Sequence, residues 1–180
     1  MTDLVVFLGP PGAGKGTQAL RIASEFNLAH ISTGDMLREH VKELTDLGKT
    51  AKSLLDEGKL VPDDLVIQML TERLGSEDCL GGSILDGFPR TLTQAESLEK
   101  ISNKFPVKKV IVFEADKEEL TKRILLRGQV SGRSDDTEDS IRVRLDVYQK
   151  DTEPLINFYE DKGIVSKINA VGDVDEIYNL

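Results

Sequence analysis

A glycine-rich segment near the N-terminus, Gly9–Thr17, carries the residue types that bind phosphate groups. It reads GPPGAGKGT and lies between the apolar run Leu4–Leu8 and a stretch with helical spacing at 18–26. Its glycines let the backbone bend so that successive amide N–H groups face one anion. The helix N-terminus would add its dipole, and Lys15 is long enough to reach the outer phosphates. A plain glycine–proline turn is the alternative, but the Gly-x4-Gly-Lys spacing favours a phosphate-binding loop.

A second chemical group, Asp86 to Arg90, follows a short apolar stretch that we expect to be a strand. The Asp86 carboxylate could hold Mg²⁺ through water, and an acid that begins a turn is the alternative interpretation. Arg90 is a bidentate phosphate donor in a turn stiffened by proline. Direct Mg²⁺ ligation by Thr17 is less firmly indicated, because Gly16 stands where the usual pattern has Ser or Thr directly after the lysine.

These groups come together only if the intervening chain forms a sheet. Apolar runs predict strands at 4–8, 28–32, 83–86, 109–113 and 164–168. Helical patterns occupy 18–26, 34–38, parts of 41–61, a stretch opened by 62–64, 91–101, 117–126, 138–162 and 174–180. Five strands that alternate with helices predict an α/β fold, with a doubly wound five-stranded parallel sheet and helices on both faces.

Local signals refine the helices. We expect Thr33 to cap the helix at 34–38, and Gly48 and Gly58 to interrupt the pattern at 41–61. Pro154 is expected to break the long pattern at 138–162. The helix at 91–101 should bury Leu92, Ala95, Leu98 and Ile101, and the glycine- and charge-rich stretch 128–136 is expected to be a loop.

Composition limits the class of protein. The 180 residues suit one domain, and the formal charge of −9 disfavours nucleic acid as a partner. No apolar run is long enough to span a membrane, and no basic region precedes the first strand as in a signal peptide. Cys79 is the only cysteine, which excludes an internal disulfide and a cysteine-rich zinc site and favours the cytoplasm. A phosphate loop in an acidic protein therefore requires positive charge concentrated in a cleft.

Four motifs carry a resemblance to a known family. In chain order they are GPPGAGKGT, STGDMLR, LDGFPRTLTQAE and LLRGQVSGRSDD. The ordered set resembles the adenylate kinase family of nucleoside monophosphate kinases, and the resemblance extends from Leu4 to about Val174. It implies a parallel α/β core with a small segment over the monophosphate and a lid over ATP. The implied reaction is reversible phosphoryl transfer from Mg·ATP to AMP, which gives two ADP.

The resemblance also implies site residues. The ATP side would comprise Gly12, Ala13, Gly14, Lys15, Gly16, Thr17, Arg123, Arg127 and Gly172. The AMP side would comprise Thr33, Arg38, Lys59, Leu60, Val61, Gly87, Phe88, Pro89, Arg90, Gln94, Arg133 and Arg144, with Gln94 reading adenine. The groups that act on the transferring phosphoryl would be Lys15, Arg90, Arg127, Arg133 and Arg144. Magnesium would bind through water near Asp86 and also Asp35, although Asp35 could equally be a first-turn helix acid. Taken singly, Arg123, Arg127 and Arg144 would be expected on the surface, because charged side chains are mostly exposed. We expect Arg142 to be a solvated surface residue.

The resemblance divides the single domain. The core would be 1–31, 62–125 and 137–180, with an acceptor-side segment at 32–61 and a short lid segment at 126–136. A lid without cysteine implies the short, zinc-free form, which is expected to be a monomer. Thr33 and the sequence after Arg90 resemble AMP-selective members, so a UMP/CMP kinase is the alternative, and a GTP-using adenylate kinase ranks third. A guanine-nucleotide switch would need Asn-Lys-x-Asp, whereas residues 103–106 read Asn-Lys-Phe-Pro.

Overall fold

The computed structural model describes residues 2–131 and 133–180, apart from the side chain of Ser131. The expected lid segment 126–136 therefore includes one residue, Gly132, outside the described part. The strands are β1 (Leu4–Leu8), β2 (Ala29–Ser32), β3 (Ser83–Asp86), β4 (Val107–Glu114) and β5 (Val165–Asn169). The helices are α1 (Lys15–Phe26), α2 (Thr33–Lys42), α3 (Asp46–Asp56), α4 (Asp63–Leu74), α5 (Leu92–Lys100), α6 (Lys117–Ser131), α7 (Glu138–Val147), α8 (Leu155–Glu160) and α9 (Val174–Tyr178).

The five strands form one parallel sheet in the order β2-β3-β1-β4-β5. The predicted fold class is therefore confirmed. In the register of the central strands, Phe7 lies beside Asp86, and Ser32 lies on the other side of Asp86. The carboxyl ends of β1, β2 and β3 thus meet at one edge, which is where ligands bind in sheets of this kind.

Both faces of the sheet are covered, as the near-continuous apolar strands predict. Successive side chains of a strand point to opposite faces, and β1 shows the consequence. Leu4, Val6 and Leu8 are buried in one apolar cluster, whereas Phe7 is buried in a second cluster on the other face. The strand before the glycine loop is therefore held rigidly from both sides.

Tertiary packing changed several local expectations. The side chain of Ser32, not Thr33, caps α2, and Thr33 is its first helical residue. Gly48 does not break a helix but lies within α3. The position requires glycine, because a Cβ there would come 1.9 Å from the carbonyl oxygen of His40. The break between α2 and α3 falls at residues 43–45, where Leu44 has a φ of 56°.

The C-terminal half shows the same mixture of outcomes. Leu92 is 52% exposed, so the expected stripe of α5 is wrong at its first position, while Ala95 and Leu98 are buried. Helix α6 continues to Ser131, so the first part of the expected loop at 128–136 is helical. Pro154 does interrupt the long pattern, and a π-helical turn at 148–152 precedes it. Across the described ranges, no helix combines the length and the apolar character that a membrane span requires.

Candidate active site

A cavity of about 570 Å³ opens at the carboxyl edge of the sheet. Its walls come from the glycine loop, α2, the segment before α4, the turn after β3, and the lid segment. Of the residues expected at the site, the following line it: Gly12, Gly14, Lys15, Gly16, Thr17, Thr33, Asp35, Arg38, Lys59, Leu60, Val61, Asp86, Gly87, Pro89, Arg90, Gln94, Arg123, Arg127, Arg133 and Arg144. Three expected residues do not line it: Ala13 and Phe88 are buried in the core beneath, and Gly172 lies outside.

The backbone of the glycine loop adopts conformations that favour glycine, as its composition predicts. Gly12 has a φ of 85°, and a Cβ there would meet the carbonyl oxygen of Leu120 at 2.8 Å. Gly14 has a φ of 88° and immediately precedes α1, and the first three residues of α1, whose N–H groups have no partner within the helix, line the cavity. The ammonium group of Lys15 donates to the carbonyl oxygens of Gly9 at 2.7 Å and Pro10 at 2.9 Å. The loop and its lysine form a preorganised site for an anion.

The electrostatic environment of Lys15 depends on the cations around it. Desolvation in the cavity lowers the pKa of Lys15 to about 8; the nearby Arg90, Arg144 and Arg127 add to this, and Asp86 opposes it. Desolvation and the charge of Arg144 likewise lower the pKa of Arg90 to about 10, so that Arg90 remains charged at neutral pH. Because these cations lower one another's pKa values, an anion in the cavity would favour their charged forms.

We expect the protein to take up protons when it binds ATP above pH 7. Because Lys15 titrates near pH 8 in the free protein and the ATP phosphates favour its charged form, binding at pH 8 should take up about half a proton. Uptake should approach about one proton near pH 9, and the affinity for ATP should fall as the pH rises above 8. Calorimetry in two buffers with different ionisation enthalpies measures this uptake. Lys15→Met is the control, and uptake that persists in this variant would contradict the assignment.

Asp86 lies at the end of β3 beside the glycine loop. Burial opposes its ionisation, but the nearby His30 ring and the charges of Lys15 and Arg90 together outweigh burial and lower the pKa of the carboxyl. The Nε2 atom of His30 lies 3.6 Å from a carboxylate oxygen of Asp86. A Cβ on Gly16 would come 3.1 Å from the same carboxylate, so the glycine after the lysine leaves room for Asp86. This glycine, the departure from the usual loop pattern, therefore has a structural reason.

The arginines of the lid segment and α7 are held by two buried acids. Arg127 makes a bidentate contact with Asp136, at 2.8 Å from Nε and 2.6 Å from Nη2. Arg144 donates to the same carboxylate at 2.8 Å and to the backbone oxygen of Asp135 at 3.0 Å. Burial raises the pKa of Asp136, but the hydrogen bonds and charges of Arg127 and Arg144 together outweigh this effect and lower the pKa overall. Planar guanidinium groups are thus fixed in orientation toward the cavity.

The lid segment and the acceptor-side segment meet over the cavity. Nη2 of Arg133 lies 3.0 Å from Asp35, and Nη2 of Arg38 lies 2.6 Å from the same carboxylate oxygen. The hydroxyl of Ser134 donates to Asp56 at 2.6 Å. Burial raises the pKa of Asp35, but the bond from Arg38 and the charge of Arg133 outweigh burial and lower it overall. Asp35 therefore binds two guanidinium groups, and side-chain contacts join Arg133 to Asp35 and Ser134 to Asp56.

Backbone contacts position Arg90 in the turn after β3. Its Nε donates to the carbonyl oxygen of Gly87 at 2.8 Å, and its backbone oxygen accepts from the Thr152 hydroxyl at 2.8 Å. Thr33 donates to the same Gly87 oxygen at 2.8 Å, which ties α2 to the turn. The side chain of Arg90 is thus held by the turn after β3, and its backbone is held by Thr152 of the π-helical turn. π-helical turns of this kind are frequent at functional sites.

On the side expected to bind the ATP base, the structure shows a tethered loop. Arg123 donates to the carbonyl oxygen of Ala170 at 2.8 Å and to Glu119 at 2.7 Å. Gln18 donates to the carbonyl oxygen of Val174 at 2.9 Å. The loop that contains Gly172 is therefore anchored to α1 and α6 at its two ends.

Sequence reasoning missed several residues that the structure brings to the site. Asp135 and Asp136 look like an acidic helix start, but α7 begins after them at Glu138. Asp63 contacts Gln94, and Thr152 contacts Arg90, yet neither belongs to a motif. The sequence predicts that His30 is structural or exposed, whereas it lines the cavity. The one available signal is the pair of acids that follows Arg133 within an arginine-rich motif. Arg142 is exposed, as expected.

The parallel sheet, with the glycine loop and a cluster of cations around one cavity, defines a nucleotide-binding protein of the P-loop class. A family model described as Adenylate kinase matches residues 7–164. The chain belongs to the adenylate kinase family.

Individual relatives are similar over nearly the whole chain. A protein named adenylate kinase from Thermus thermophilus is 46% identical, with 97% of this chain and 92% of that protein covered. One of the same name from Kocuria rhizophila is 46% identical, with 98% and 95% covered. Another from Leptospira biflexa is 48% identical, with 97% and 95% covered.

Proposed function

We propose that this chain catalyses reversible phosphoryl transfer from ATP to AMP, which yields two ADP. The observation that carries the proposal is the convergence of Lys15, Arg90 and Arg144 on one cavity with a phosphate loop at one end. The same cavity is also lined by Thr33 and Gln94, polar residues that suit the base of a second nucleotide. The family of the chain and the names of its relatives support the same activity.

In the proposed reaction, an oxygen of the AMP phosphate attacks the γ-phosphorus of ATP. The new bond joins that oxygen to phosphorus, and the bond from the γ-phosphorus to its bridging oxygen breaks, so that ADP leaves. The transfer needs alignment and positive charge over the equatorial oxygens more than covalent chemistry. Lys15, Arg90, Arg127, Arg133 and Arg144 would supply that charge. No general base is needed because the attacking phosphate is already anionic.

Carboxylates of the protein bind the guanidinium groups that we expect to contact the substrate phosphates. Asp35 and Asp136 neutralise four guanidinium groups, including those of Arg38 and Arg127. Incoming phosphates would exchange with these acids, so that little reorganisation of the arginines is required. Closure of the two segments would exclude water, which is the competing acceptor.

Magnesium fits the donors on the ATP side. The ionised Asp86 carboxylate and the Thr17 hydroxyl both line the cavity and are oxygen ligands of the kind that Mg²⁺ accepts, with water completing its shell. When bound, Mg²⁺ would neutralise charge on the ATP phosphates. The monomeric state and the cytoplasmic location stay predictions.

An acceptor panel tests the proposal. ATP and magnesium are incubated with AMP, UMP, CMP or GMP, and ADP formation is followed by a coupled assay. We expect AMP to be the best acceptor and ATP without an acceptor to be nearly inert. Preference for UMP or CMP would favour the alternative kinase, and rapid ATP hydrolysis without an acceptor would contradict a phosphotransferase.

A further inference from the structure

Gln94 is held by two partners whose hydrogen-bonding roles are unambiguous. It lies in the first turn of α5, is only 2% exposed and still lines the cavity. Its Oε1 accepts from the backbone N–H of Arg90 at 2.7 Å, and its Nε2 donates to a carboxylate oxygen of Asp63 at 2.8 Å. A backbone N–H only donates and an ionised carboxylate only accepts. The orientation of the Gln94 amide therefore follows from its neighbours.

Asp63 is itself oriented by α5. Its second carboxylate oxygen accepts from the hydroxyl of Thr91 at 3.0 Å, and the same hydroxyl caps α5 by accepting from the N–H of Gln94 at 3.2 Å. Asp63 is the first residue of α4, so this carboxylate joins α4 to α5 behind the cavity wall. Asp63 does not line the cavity, and any influence that it has on a ligand must act through Gln94.

A reversed amide would place like groups together on both sides. Its oxygen would face the Asp63 carboxylate, and its nitrogen would face the N–H of Arg90. Unmatched polar groups inside a protein are costly, so the amide has one stable orientation. In that orientation, Gln94 has one spare N–H on Nε2 and one spare lone pair on Oε1 to offer to the cavity.

We propose that Asp63 is a specificity-determining, positioning residue that selects a 6-amino purine acceptor by locking the orientation of the Gln94 amide. The inference rests on the proposed function and deepens it. Adenine presents an amino donor next to a bare ring nitrogen, which a locked amide matches with Oε1 and Nε2. A 6-oxo purine presents a carbonyl oxygen next to a ring N–H, which is the reverse pattern and would require the disfavoured orientation of the amide.

Inosine monophosphate is the probe that isolates this contact. It differs from AMP only by the exchange of the 6-amino group and bare N1 for a 6-oxo group and N1–H. In Asp63→Asn, the new amide can also donate to a reversed Gln94, which the carboxylate cannot do. We expect the ratio of kcat/KM for AMP to that for inosine monophosphate to fall by about tenfold in this variant. Asp63→Ala, which removes the acceptor altogether, should lower the ratio in the same direction.

Asp64→Asn is the matched control, because Asp64 is exposed in the same first turn of α4 and its loss changes the helix charge equally. Melting temperatures are measured for every variant. An unchanged ratio in folded Asp63 variants, or an equal change in Asp64→Asn, would overturn the inference and leave Asp63 as a structural tie between helices. If the unaltered protein phosphorylates AMP, such a result leaves the proposed function standing. If it does not, the proposed function fails first, and this inference fails with it.

Discussion

Lys15→Met is expected to lower kcat/KM by about a thousandfold, the size of effect seen when one preorganised charge is removed from a transition state. The ammonium group of Lys15 is held by the carbonyl oxygens of Gly9 and Pro10 at the mouth of the phosphate loop. A thioether can fill the space but cannot meet the charge that develops on the transferring phosphoryl. Steady-state kinetics with varied ATP and AMP, together with calorimetric titration of ATP, measure the effect.

Lys122→Met is the control for this substitution, because Lys122 is an exposed residue of α6 and is not among the cavity residues. We expect Lys122→Met to retain full activity. We also expect the melting temperature of ligand-free Lys15→Met not to fall. In the unaltered protein, the ammonium group of Lys15 is poorly solvated in the cavity, which lowers its pKa to about 8, so its removal should not destabilise the fold. A loss of activity below tenfold, in a folded variant, would remove Lys15 from the chemical step.

Arg90→Lys is expected to lower kcat on the order of a hundredfold, with little change in ATP affinity, because small errors of alignment are costly in transfer reactions. Lysine keeps the charge but not the planar fork that Arg90 presents from its contact with Gly87. Because Arg90 lies on the acceptor side, the loss should appear in kcat and in the KM for AMP. Kinetics supply both constants, and calorimetry supplies the affinity for ATP.

The control for Arg90→Lys is Arg142→Lys, which makes the same chemical change at an exposed position of α7. Arg142→Lys should behave like the unaltered protein. Equal losses of transfer rate and ATP affinity in Arg90→Lys would show that Arg90 acts on binding in general. That result would contradict its role in aligning the transferring group.

The two kinds of site residue differ in how much of their position could be predicted. The phosphate loop is contiguous with the strand before it and the helix after it, so local chemistry alone predicts its shape. Gln94 is different, because its orientation depends on Asp63, which is 31 positions away along the chain. Asp136 resembles part of a helix start in the sequence, yet its carboxylate is fully buried against two arginines.

Expectations about single turns failed where another element approached closely. A glycine in a helical pattern normally indicates a break, but Gly48 allows α3 to pack against the backbone of His40. The stripe of α5 is shifted because Gln94, a polar residue, takes an interior position that helical periodicity assigns to apolar residues. No periodic signal reports a buried polar contact, since its partners lie far away in sequence.

The amino-acid sequence by itself determined the alternation of strands and helices and the phosphate loop, because each depends on residues close together in the chain. The parallel direction of the strands followed from that alternation. Only the tertiary structure decided which acids neutralise the arginines, which acid contacts Gln94, and that Gly172 does not line the cavity. Those outcomes depend on the order β2-β3-β1-β4-β5, which brings chain segments together at one edge of the sheet. Contacts between distant segments arise from that order and leave no local pattern to read.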